Sequence, residues 1–105
     1  MKLFAIGTLS LIASVGLAHA AAADGKDLYN SKCQVCHGAN GEGKPALAKA
    51  LGVTSTAINT KEVKSASDAD LKKVIVSGKG KMKAVAGVTD KQADDVVAYV
   101  KSLKE

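Results

Sequence analysis

The sequence predicts a small all-α domain of about four helices, and three observations carry that prediction. Apolar residues recur at helical spacing, as in Leu71, Val74 and Ile75, or in Val96, Tyr99, Val100 and Leu103. Capping residues bracket those stretches. No segment alternates apolar and polar residues as a half-buried strand would. A chain of 105 residues has room for a single domain.

The N-terminus reads as an export leader. Met1-Lys2 supplies a positive start, Leu3 to Leu17 is mostly apolar, and Ala18-His19-Ala20 is an A-x-A cleavage site. The expected leader is residues 1–20, its end open as far as Ala23, and the domain is residues 21–105. A transmembrane anchor is the alternative, but the run is short for a bilayer core of ~30 Å. No cysteine follows the cleavage site to take a lipid. The expectation is a periplasmic protein with no stable membrane insertion. Met1, Phe4 and His19 fall in the leader and carry no functional argument.

After the leader, Asp24 is placed to cap a first helix running through Tyr29, Asn30 and Ser31 into Cys33–His37. Gly38, Gly41 and Gly43 then break it. Turn glycines explain that loop, since a phosphate cradle would need a supporting strand. Pro45–Leu51 reads as a short helix with proline at its first position. The stretch from Gly52 to Ser67 is polar apart from Ile58 and Val63, with a helical turn expected near Lys61–Ser65. Ser67 or Asp68 starts a third helix that includes Asp70–Ser77, and Gly78 closes it. Thr89 and Gln92 form a capping box for the last helix, with Asp90 at its positive end and Lys101 and Lys104 near its negative end.

Size and charge narrow the function. The 85 residues left after the leader contain no Trp and only Tyr29 and Tyr99 as aromatics. A domain that small usually needs a staple beyond its own core. One of the 15 basic residues lies in the leader and none of the 10 acidic ones does, so the remainder carries +4. All the basic residues are lysines. The lack of arginine, together with export, argues against nucleic acid as a partner. Acidic protein surfaces suit a mildly cationic carrier better.

Cys33-Gln-Val-Cys36-His37 supplies the missing staple, because this spacing is the attachment sequence for a c-type haem. On a helical turn the two thiols project from nearly one face, and His37 can offer a nitrogen to iron. A thioredoxin-like site would sit in a strand–helix unit that this chain lacks, and structural zinc needs about four ligands. Iron has a second axial position. The domain holds no other histidine and one methionine, Met82, 45 residues past His37. A lone methionine is usually core filler. This one sits in Gly78-Lys-Gly-Lys-Met-Lys-Ala84, a lysine-rich loop where packing has little to gain, so a thioether ligand is the better reading.

Taken together, Cys33–Gly38, Gly78–Met82 and the ending Thr89–Val100 resemble the small bacterial class I cytochromes c, particularly the c6- and c553-like group. The resemblance covers essentially the whole domain. It implies helices wrapped around one covalently bound haem c, with Cys33 and Cys36 as thioether attachments and His37 and Met82 as axial ligands. It implies a one-electron carrier, not an enzyme: a monomer that meets redox partners with acidic docking surfaces. Gly25 and Tyr29 of the first helix are expected to cross Val96 and Tyr99 of the last. Lys79, Lys81, Lys83, Lys72 and Lys73 would surround the docking edge. A backbone carbonyl near Pro45 is expected to accept the proximal histidine's proton, and Asn59, Lys61 or another polar residue of that stretch would meet the haem propionates. One departure stands out: Lys83 follows Met82 where the family commonly has proline. A more weakly held distal ligand would suit a haem-based sensor or small-molecule binder. A haem-free thiol–disulfide oxidoreductase using Cys33 and Cys36 is the other alternative.

Overall fold

The C-terminal helix organises the molecule. The computed structural model describes residues 11–105, so Met1, Lys2, Phe4 and the start of the apolar run lie outside the described residues. Six helical segments occur in them: α1 Leu11–Lys32, α2 Gln34–His37, α3 Pro45–Leu51, α4 Lys61–Ser65, α5 Asp68–Ser77 and α6 Asp90–Ser102. Among the described residues the only β-type pairing is an isolated bridge between Lys79 and Met82. The all-α expectation stands.

Each later helix begins where its capping chemistry places it. Thr89 and Gln92 close a full capping box on α6, and Ser67 accepts the Asp70 N–H to start α5, which ends at Gly78. Pro45 opens α3, and Thr60 caps α4 by accepting from Val63 N–H. The start of the first helix differs from expectation. Asp24 does not cap it, because α1 runs unbroken from Leu11. The alanines at 18 and 20–23 are strong helix formers, and nothing between Leu17 and Asp24 interrupts the ladder.

The core is the seam between α1 and α6. Tyr29 is fully buried, and Ala93, Val96, Val97, Val100 and Leu103 of α6 pack with it and with Ile75 of α5. The expected crossing is present. Gly25 lies directly against the Asp95 carbonyl and the Val96 nitrogen, where a Cβ would sit 2.9 Å from that nitrogen and closer still to the carbonyl. Only a residue without a side chain allows the two backbones this approach. One turn on, the rings of Tyr29 and Tyr99 meet at 5.2 Å between centroids, tilted by 55°. Lys72–Asp94 (3.4 Å) and Lys101–Asp68 (2.7 Å) tie α5 to α6 at the surface.

Two outcomes follow from this seam. Gly25→Val should force α1 away from α6 and destabilise the protein by about 1–3 kcal/mol, read as a lower urea midpoint; an unchanged midpoint would remove the crossing from the account. The Tyr29 hydroxyl donates to the Gly38 carbonyl at 2.6 Å, and burial pushes its ionisation up to about 12 from 10.0. The folded state therefore holds this proton after the unfolded chain has released it. Tyr29 contributes to a loss of stability as pH rises from 10.0 towards about 12. Tyr29→Phe should cost about 1 kcal/mol at neutral pH and flatten that alkaline decline relative to the parent.

Candidate functional site

Cys33 interrupts the helical path between α1 and α2 but does not release it. Its N–H donates to Tyr29 O at 2.9 Å, and its own carbonyl accepts from Cys36 N at 3.1 Å and His37 N at 3.0 Å. These bonds hold Cys33, Cys36 and His37 on one continuous coil. Both cysteines are free and half-buried. Burial pushes the Cys33 thiol up, the neighbouring Cys36 adding to the effect. A redox-active pair of thiols needs the opposite shift.

The His37 ring is oriented from a distance. Its Nδ1 lies 2.6 Å from the carbonyl oxygen of Thr56. A carbonyl can only accept, so the proton is on Nδ1 and the Nε2 lone pair is left for a metal. The expectation of an acceptor near Pro45 is corrected here: the acceptor is Thr56, which reaches the same place through space. Lys44 N–H, next to Pro45, donates to Thr56 Oγ1 at 2.9 Å. Nothing local in the sequence marks Thr56, because its role depends on how the loop from Gly52 to Asn59 folds back on Gly41 and Lys44.

Met82 stands on a tight two-residue turn. Lys79 and Met82 exchange both backbone bonds, at 2.8 and 2.9 Å, around Gly80-Lys81. Val85 N–H then bonds Ile75 O at 2.9 Å and fastens the returning chain to α5. The half-buried Met82 is thus carried by a closed loop anchored at both ends.

Two adjoining cavities bring these residues together. The first, of about 340 Å³, is walled by Ile58, Val63, Leu71, Val74, Val97 and Val100, among others. The second, of about 540 Å³, lies against Leu47, Leu51, Val53 and Val85. Cys33, His37, Lys79 and Met82 line both. Leu71 and Val74, expected on the buried face of the third helix, therefore face this space. From the polar stretch that was expected to meet propionates, Ile58, Glu62 and Val63 line it.

The lysines sort themselves. Lys32, Lys79, Lys81 and Lys83 line the second cavity. Lys72, expected with them, reaches instead for Asp94 on α6.

The residues present fit a haem. Apolar walls on two sides suit a flat hydrophobic ring, two half-buried thiols stand at one edge, and a correctly protonated imidazole and a thioether line the same space. Similarity to known proteins agrees with this fit. Residues 22–104 match the family model for cytochrome c. Cytochrome c-554(547) of Halothiobacillus neapolitanus is 38% identical over 90 residues, covering 79% of this chain and 97% of that protein. The chain belongs to the cytochrome c family, a small class I cytochrome c of all-α fold whose cofactor is covalently attached haem c.

Proposed function

We propose that this cytochrome is an exported one-electron carrier in which Cys33 and Cys36 hold haem c by thioethers and His37 and Met82 fill the two axial positions. One observation carries the ligand assignment. His37, whose Nδ1–H donates to the Thr56 carbonyl, and Met82 line the same pair of apolar cavities. Haem c bound there supplies reversible one-electron chemistry at iron. The chain's own contribution is to hold and to shield. His37 is kept in one tautomer and one orientation by Thr56. The Met82 loop is closed by its backbone pair and by the Val85–Ile75 bond, and the aliphatic walls keep water from the ring. Held by both His37 and Met82, haem bound there would offer no open iron position to a substrate.

Export rests on the leader-like N-terminus, and no helix among the described residues is long and apolar enough to cross a membrane. Lys32, Lys79, Lys81 and Lys83 around the second cavity give the exposed edge a positive rim suited to acidic redox partners. Binding of the haem-loaded protein to a carboxylate-coated electrode should weaken as salt rises. Lys81→Glu and Lys83→Glu together should reduce it further at low salt. Binding that ignores both changes would remove these lysines from docking.

Met82→Ala tests the ligand set. A thioether raises the potential by favouring ferrous iron, so the variant should show a lower midpoint potential. It should also lose the long-wavelength sulfur-to-iron band of the ferric parent and gain rapid carbon monoxide binding in the ferrous state. A second reading, a haem-based sensor with a labile distal ligand, is favoured by Lys83 standing where proline would stiffen the loop. If the unmodified protein already binds carbon monoxide rapidly and lacks that band, the sensor reading replaces the carrier.

A further inference from the structure

The hydroxyl of Thr56, an otherwise ordinary loop side chain, holds together the contact that aims His37. Two loop segments lie side by side beneath the histidine. Lys44 N–H donates to Thr56 Oγ1 at 2.9 Å, while the carbonyl of the same Thr56 accepts from His37 Nδ1–H, with 2.6 Å between nitrogen and oxygen. A single residue thus joins the 43–45 segment to the imidazole through two different oxygens. Around it the fit is close. Gly43, at φ +84°, lies so near the second segment that a Cβ would stand 2.7 Å from Ala57 N and 3.1 Å from the Thr56 carbonyl carbon. Gly43 N–H donates to His37 O at 2.7 Å, and Gly41 O accepts from Ile58 N at 2.7 Å and Asn59 N at 3.1 Å. These backbone bonds flank Thr56. Ala57 N–H, in the same peptide unit as the Thr56 carbonyl, donates to Ser55 Oγ at 3.0 Å. The peptide is thus held within its own segment, and the Thr56 hydroxyl is the side-chain contact that ties it across to the 43–45 segment.

On the other side of this loop is an open cavity of about 230 Å³ lined by Glu42, Lys44, Lys49 and Thr56, among others. Water has access to Lys44 N–H from there. Without the Thr56 hydroxyl, that N–H would turn to solvent and the Thr56 peptide would keep the Ser55 bond but lose its tie to the 43–45 segment.

We infer that Thr56 is a positioning residue for the electron-transfer site: its hydroxyl, through Lys44, holds the Thr56 carbonyl on His37 Nδ1–H and thereby helps set the reduction potential. A firm hydrogen bond at Nδ1 makes the imidazole a stronger donor and favours ferric iron; a slack one favours ferrous iron. This rests on the proposed ligation of iron by His37. The experiment uses the haem-loaded protein and the variants Thr56→Val, Thr56→Ala and Thr56→Ser, comparing midpoint potential with hydrogen exchange of His37 Nδ1–H in the ferrous state by NMR. Val and Ala should raise the potential, shifting the reduced-to-oxidised ratio by about threefold to tenfold, a tenfold change being ~59 mV for one electron. Both should speed Nδ1–H exchange. Ser, which keeps the hydroxyl, should restore both readouts towards the parent. Parent-like potential and exchange in Val and Ala overturn the inference, as does a Ser variant that behaves like Ala. His37 ring resonances without the ring-current shift of a haem ligand would instead overturn the ligation reading.

Discussion

The organising constraint is that this chain has too little apolar side chain to fill its own middle. The aliphatic residues of α5, α6 and the Ile58–Val63 stretch face one cavity, those of α3 and the chain around Val85 face the next, and Cys33, His37 and Met82 stand where the two adjoin. The fully packed part is the α1–α6 seam together with Ile75 of α5. In a domain this small, covalently held haem completes a core that the polypeptide only walls. Cofactor binding and folding are therefore one problem, and the site is the centre of the fold, not an addition to it.

The seam and the site share residues. Tyr29 is the largest fully buried side chain of the α1–α6 contact, and its hydroxyl fixes Gly38, the residue after His37. Its backbone carbonyl receives Cys33 N–H. The crossing at Gly25 thus positions the haem-binding coil through one tyrosine. On the opposite side, the Met82 loop is fastened to Ile75, another member of the same core. His37 and the Met82 loop are thus both referred to one packed cluster, an arrangement that would hold their relative placement steady.

Local chemistry was legible in the sequence and long-range closure was not. The capping box at Thr89 and Gln92, the proline at the head of α3, Ser67 and Gly78 around α5, and the turn at Lys61–Ser65 each depend on residues within a few positions, and each is where its residue types place it. Gly25 and Tyr29 against Val96 and Tyr99 came from resemblance to a family, not from periodicity. In the uncleaved chain Asp24 caps nothing, because the preceding alanines, which fall at the end of the leader-like segment, carry the helix past it. Thr56 was invisible because it acts across 19 residues through a backbone oxygen that every residue possesses. The pairing of Lys72 with Asp94 on the neighbouring helix was equally hidden, because it joins residues 22 positions apart through the packing of α5 on α6.

The most direct test of the account is the first coordination shell of iron in the ferric protein, read by X-ray absorption at the iron K-edge. The account requires a sulfur scatterer beside the nitrogens, since His37 and Met82 line one space between apolar walls. A shell of nitrogen alone, or of nitrogen with a water oxygen, would contradict it.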